Sequence, residues 1–271
     1  MAGVSSESLA AALTALEAKL PTAGLSLAED LFKVLAVLDG NAGLRRALTD
    51  PAREGAEKSA LVSQLFAGKV SDDAAATVAE LVAMRWRSAR DIGDALETLA
   101  ATAAIAVAER EAPAAAGLEA LEEDLFGFIR VVSSSHDLQR ALDEPQASAD
   151  AKGALALTLA PGAGGAARLL IRQAVTAPRG LKPTALVQRF VELVAKRQQR
   201  WIANVSVTRP LTDEQFNRLQ AGLNNLYGRD LKINVTVDPS LVGGIRVVVG
   251  DEVVDATAAT RLTELRRRLV G

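Results

Sequence analysis

"LAEDLFKVLAVLDGNAGLRRALTDPAREGAEKSALVSQL", residues 27–65, decides the fold, because the chain states it twice. Residues 121–159, "LEEDLFGFIRVVSSSHDLQRALDEPQASADAKGALALTL", align with it without a gap, and Asp124 lies 94 residues after Asp30. Fifteen of the thirty-nine positions are identical, among them Phe32/Phe126, Arg46/Arg140, Pro51/Pro145 and Lys58/Lys152. Roughly three identities are expected by chance at ordinary composition. Self-similarity on this scale marks a duplicated structural unit. Farther on, "ELVAMRWRSARDI" (80–92) resembles "RLLIRQAVTAPRGL" (168–181) after a short deletion.

Each copy reads as helices. Leu27, Leu31, Leu35 and Leu38 recur at helical spacing, and Gly40 is placed as a C-terminal stop. Asp50-Pro51 and Glu144-Pro145 have the form of helix starts, with proline pre-set for a first turn and an acid favouring the dipole. Ser71 is placed to cap a helix running through Met84 and Trp86. A long helix from about Asp91 to Glu109 links the copies, and "GAGGAAR" near Gly162 is a loop before the last helices of the second. The expected divisions are a helical bundle over 1–94, a related bundle over 95–200, and a different domain over 201–271.

After Arg200 the pattern changes. "WIANVSVT" (201–208) is rich in β-branched residues, and "KINVTV" (232–237) alternates, with Ile233, Val235 and Val237 on one face. "IRVVV" (245–249) is a third strand and Glu252–Val254 a short fourth. Between the first two strands, Thr212 and Gln215 form a capping box and Gly228 a stop. A last helix is expected from about Thr257 to Leu269. The predicted class is mostly α, with two related helical bundles followed by a small β-α-β-β-β-α domain.

Composition limits the chemistry. The 271 residues are 49% hydrophobic and 24% charged, enough for a sizeable core. With 31 basic and 33 acidic residues, the net charge is −2, unlike the basic excess of a nucleic-acid binder, and aromatics for base stacking make up only 3%. No cysteine is present and His136 is the only histidine, which removes thiolate chemistry and most zinc sites and Ser-His relays. His136 follows "SSS" at a helix connection, with no nucleophile placed near it. The start, "MAGVSSESLAAAL", lacks a basic leader and a long apolar core, so no signal peptide is expected. The most apolar run, Leu99–Val107, is nine residues, too short for a bilayer.

The one stretch that invites a ligand is "DPSLVGGIRVVVGDEVVDATAATRLTELRRRL" (238–269). Gly243-Gly244 is no phosphate loop, because a strand rather than a helix follows it. A turn or bulge needing positive φ accounts for these glycines. Gly250-Asp251 is a hairpin signal. Asp251, Glu252 and Asp255 are oxygen ligands by type, but alternation places neighbouring carboxylates on opposite faces. Arg261, Arg266, Arg267 and Arg268 form a basic end suited to the helix dipole or to an acidic partner. Core packing accounts for Phe32 and Phe126. The equivalence of Arg46 and Arg140 points to a shared structural or partner contact.

That stretch resembles the C-terminal signature of the delta subunit of F-type ATP synthase, related to the oligomycin-sensitivity-conferring protein. Gly243, Gly244, Gly250, Asp251, Asp255, Arg261 and Leu262 fit the pattern, whereas Ala256-Thr257 stands where Gly-Ser is expected. "LTDEQFNRLQAGLNNLYG" and the "LRRALTDP"/"LQRALDEP" pair also resemble family segments. The resemblance covers about 95–271, with 1–94 an added copy of the N-terminal bundle, as in longer bacterial forms. It implies a stator part without catalytic residues, cofactor or metal. Its partners would be N-terminal helices of alpha subunits and the b subunit of the peripheral stalk, with Arg46, Arg140, Arg266 and Arg267 as possible contacts. It also implies one copy per complex, no nucleic acid, and a place at the cytoplasmic face of the bacterial plasma membrane, reached only through the complex. Two other classes remain open from the residues alone: a general helix-binding adaptor, and a metal-dependent enzyme using the Asp251 cluster.

Overall fold

A computed structural model describes residues 3–113, 115–228, 231–238, 241, 244–250 and 252–255, with 200 and 255 by backbone alone. The chain divides into two compact units: Met1–Glu111 with Gly117–Leu193, and Ala112–Ala116 with Val194–Gly271. The first holds most of both helical copies, whereas 112–116 and the end of the second copy from Val194 fall in the second.

The first copy comprises α1 (Val4–Glu17), α2 (Leu25–Gly40), α3 (Ala42–Thr49), α4 (Gly55–Phe66) and α5 (Asp72–Ala83). The linking helix is α6 (Ala89–Glu111), followed by α7 (Ala116–Ser133), α8 (His136–Asp143), α9 (Ala149–Leu159), α10 (Gly165–Thr176) and α11 (Pro183–Gln198). The 94-residue offset places α3 on α8 residue for residue. It also places the start of α6 (Ala89) on the start of α11 (Pro183), and the end of α1 (Glu17) on the end of α6 (Glu111). So α6 is at once the last helix of the first copy and the first helix of the second. Its composition permits this. Ala95, Ala100, Ala101, Ala103, Ala104, Ala106 and Ala108 are buried together with Ile92, Leu96, Leu99 and Ile105. A helix whose sides are mostly apolar and small-residued can be covered nearly all round. It packs against α1, α2, α3, α5 and α10.

The duplication also survives as hydrogen bonds. The Asp30 carboxylate accepts from the Ser71 N–H (2.8 Å), and its equivalent Asp124 accepts from the Gly164 N–H (2.9 Å). Each carboxylate thus supplies the start of α5 or α10 with an acceptor from another helix. Asn41 caps α3 by accepting from the Leu44 N–H, and Ser135 caps α8 by accepting from the Leu138 N–H. The Arg45 side chain donates to the Leu38 and Asp39 carbonyls at the end of α2. Gln139 donates to those of Val132 and Ser133 at the end of α7. End carbonyls and first amides are the groups a helix cannot satisfy itself.

Two local expectations are corrected. Asp50-Pro51 and Glu144-Pro145 do not start helices. Each makes a turn closed by the N–H three residues on, Arg53 to Asp50 O and Ala147 to Glu144 O, with the acid side chain accepting from Ala52 or Gln146. The acidic side chain bonds backbone two residues ahead, a turn-forming contact that competes with a helical start. The helices begin four residues later. Also, α5 ends at Ala83, before Met84 and Trp86, and the Ser71 side chain makes no cap; Asp30 receives its N–H instead.

Burial alone would raise the Asp30 pKa, but Lys33 (2.8 Å) and the Ser71 amide outweigh it and hold the carboxyl below its ordinary value. Its contribution is therefore present above pH 3.8 and lost as pH falls through the lowered value. Removing a cap of this kind costs about 1–2 kcal/mol. Asp30→Ala and Asp124→Ala should each lower the urea midpoint accordingly, and the Asp30→Ala deficit should shrink on acidification below pH 3.8.

The second unit contains β1 (Ile202–Val207), α12 (Asp213–Tyr227), β2 (Lys232–Val237), β3 (Ile245–Val249) and β4 (Glu252–Asp255). The sheet order is β2-β1-β3-β4, parallel between β1 and β2 and antiparallel elsewhere. The Thr212–Gln215 capping box is present and Gly228 closes α12 in the left-handed region. Ala203, Val205, Val207, Val247 and Val249 pack with Leu223 and Leu231, flanked by Leu219, Tyr227 and Ile233. The expected closing helix from Thr257 lies outside the described residues.

Candidate interaction sites

The two copies are fastened by a partly buried ionic cluster on the shared helix. Arg179 sits in the loop before α11, with φ of 52° and glycine next to it. Its Nε donates to Asp39 Oδ2 (2.8 Å) at the end of α2, and its Nη1 to Asp94 Oδ1 (2.8 Å) on α6. Glu97, 2% exposed, lies one turn along α6, with Arg179 at 3.6 Å and Arg189 of α11 at 3.5 Å. Gly93 makes the room: a Cβ there would stand 2.5 Å from Arg179 Nη2. Burial would lower the Arg179 pKa, but Asp39, Glu97 and Asp94 together raise it. For Glu97 the balance is reversed. Desolvation pushes its carboxyl up, and the two arginines only partly oppose this.

The sign follows. The folded state binds the Glu97 proton more tightly than the unfolded chain, so its presence costs stability as pH rises from about 4.5 through the raised value. Glu97→Gln keeps the shape and removes the charge, leaving Arg179 with Asp39 and Asp94. The variant should melt higher than the parent at pH 7, and the gain should fade as pH approaches 4.5. Thermal melts from pH 4 to 8 check this.

Arg46 and Arg140 stand at equivalent exposed positions with local bonds. Arg46 Nε donates to Ala42 O, and Arg140 pairs with Asp137 at 3.9 Å. The repeat therefore brings neither into a longer-range contact among the described residues. His136 is the first residue of α8, after the Ser135 cap. Phe32 and Phe126 diverge. Phe32 and Leu35 are 5% and 1% exposed, whereas Phe126 and Ile129 at the same places on α7 are half-buried. Core packing thus accounts for Phe32 more fully than for Phe126. Val37 and Val131, an identical pair, are both exposed.

In the second unit, Gly244 (φ 88°) precedes β3, and Gly250 (φ 57°) stands in the two-residue connection between Val249 and its partner Glu252. Positive φ is the reason for glycine at both. Gly243, Asp251, Arg261, Leu262, Arg266 and Arg267 lie outside the described residues, as does the side chain of Asp255. Glu252 lies beside Tyr227, whose hydroxyl is pushed up first by burial and then by that carboxylate. Among the described residues no group of three acidic or histidine side chains is placed to hold a metal. None of their helices is long and apolar enough to cross a membrane.

The alternation in β2 is present, but the face is only partly covered. In the parallel register Ile233, Val235 and Val237 lie beside Ala203, Val205 and Val207, yet Val235 and Val237 are 37% and 44% exposed. Val254, beside Val247 on β4, is likewise exposed. The apolar contacts of α12 centre on the inner strands, so both edges keep open valines.

A model of the ATP synthase delta (OSCP) subunit family matches residues 100–269. The chain is 66% identical to "ATP synthase subunit delta" of Pseudarthrobacter chlorophenolicus over 275 residues, and 66% identical to that of Arthrobacter sp. (strain FB24) over 275. It is 62% identical to that of Renibacterium salmoninarum over 271. Each alignment covers 100% of both chains.

Proposed function

Because the chain belongs to the ATP synthase delta (OSCP) subunit family, a non-catalytic stator component, we propose a specific division of its contacts. The second helical copy seats an N-terminal helix of an alpha subunit of the catalytic head. The C-terminal sheet unit meets the b subunit of the peripheral stalk. The joint holds the head against rotor torque during proton-driven ATP synthesis. It stands at the cytoplasmic face of the bacterial plasma membrane, attached only through the complex.

The observation that carries the first contact is the uncovered apolar side of α7. Phe126 and Ile129, one turn apart on α7, are half-buried where the first copy buries Phe32 and Leu35. An amphipathic helix laid on such a strip buries apolar area along its length, and this lowers the off-rate a torque-bearing joint must keep small. For the second contact, Val235, Val237 and Val254 offer apolar sheet edges. The division at 94/95 is part of the same proposal, with the first copy an added bundle that shares α6.

Calorimetry with the full chain and a synthetic alpha N-terminal helix tests the first contact. Saturable binding is expected, weakened at least tenfold in Phe126→Ala and little changed in Arg140→Gln. Absence of binding, or binding that ignores Phe126, overturns it. Co-elution of alpha and b chains with this chain from detergent-solubilised membranes tests the joint as a whole.

A further inference from the structure

We propose that the first copy carries a binding site for a di- or triphosphate group, in the cleft between the N-terminal ends of α1 and α4. The cleft has a volume of about 640 Å³. That lies in the range of small-molecule sites and exceeds what one phosphate fills. Arg53, Lys58, Arg85 and Arg87 line it, against the single acid Glu54.

Lys58 carries the inference. Its side chain is buried, with the residue 4% exposed, yet among the described residues its ammonium makes no hydrogen bond or ion pair. A buried lysine is ordinarily paired, because an isolated ammonium away from water is costly. Lys58 instead reaches the cleft it lines, as a long stem with its charged head toward the opening would. No ion pair holds Arg53, Arg85 or Arg87 among the described residues either. Four cations face one carboxylate, a surplus of three positive charges in one concavity. This matches a polyphosphate better than a single phosphate, which carries about −1.5 to −2.

The backbone adds to this. In the second copy Ser148 caps α9 by accepting from the Ala151 N–H. The equivalent Glu54 makes no such bond, so the first amides of α4 have no side-chain acceptor at the cleft wall. A helix start with open amides favours an anion. Gly55 admits the close approach of α4 to α5, since a Cβ there would stand 2.9 Å from Ala83 O. The 85–87 segment is held in place. Ser5, fully buried, donates to Asp91 Oδ2 (2.7 Å) and accepts from the Arg87 N–H (2.9 Å), and Ser8 donates to Arg85 O (2.7 Å). The backbone that carries Arg85 and Arg87 is therefore fixed before any ligand arrives.

Calorimetry of the full chain with sodium pyrophosphate and, separately, with ATP free of magnesium tests this at low salt. Saturable 1:1 binding of pyrophosphate is expected, weakened at least tenfold in Lys58→Met and in Arg53→Gln, and unchanged in Arg140→Gln. Should Lys58→Met fail to fold by circular dichroism, Arg85→Gln replaces it. ATP tighter than pyrophosphate assigns the site to a nucleotide, and equal affinity assigns it to the phosphates alone. No binding of either at millimolar concentration, or affinities that ignore every cleft-cation variant made, overturns the proposal.

Discussion

Replacing Arg179 with alanine should destabilise the helical unit by about 3 kcal/mol, the low end for a buried charge cluster stripped of one partner, because Asp39 and Asp94 are part-exposed. The substitution leaves Asp39, Asp94 and Glu97 facing one another, with Arg189 near Glu97, Arg45 near Asp39 and only the exposed Arg90 near Asp94. Glu97 is buried and already resists ionisation. Urea unfolding followed by circular dichroism reads the loss. Two companions locate its cause. Glu97→Gln in the Arg179→Ala background should restore part of the stability, because one of the stranded charges is gone. Arg90→Ala, which removes an exposed pair to Asp94 at 3.8 Å, should cost less than about 1 kcal/mol. A loss of similar size in both arginine variants would show that burial is not what gives the cluster its strength.

Leu96→Ala on α6 is expected to cost about 2–5 kcal/mol, the range for a fully buried leucine left as a cavity. The particular expectation concerns cooperativity. Since α6 completes both copies, α2 and α7 should lose their hydrogen-exchange protection together, in one transition at a lower urea concentration than the parent. If peptides from α7 kept their protection while those from α2 lost it, the copies would be independent bundles joined by a passive linker.

The repeat was legible in the sequence at its identities: Asp30/Asp124, Phe32/Phe126, Leu48/Leu142. The helices, strands, capping box and β3–β4 turn followed from spacing and turn chemistry, because those are local. The equivalence of Asn41 with Ser135 and of Arg45 with Gln139 was not legible, since different side chains do the same work on the same backbone groups. The acid-proline starts misled because a local side-chain bond produced a turn. The repeat marked Lys58 through Lys152, but nothing in the spacing signalled the burial of Lys58 or Glu97, which depends on tertiary packing.

By itself, then, the sequence determined the class of each half, the duplication, and the family pattern at Gly244 and Gly250. These rest on periodicity and on backbone conformations that one residue type favours. Tertiary structure alone decided that α6 serves both copies, that Arg179 reaches back to Asp39 across 140 residues to fasten them, and that Phe126 stays half-open where Phe32 is closed. Identical residues come to differ because burial and pairing depend on which other helices pack against them, and a linear pattern does not record that.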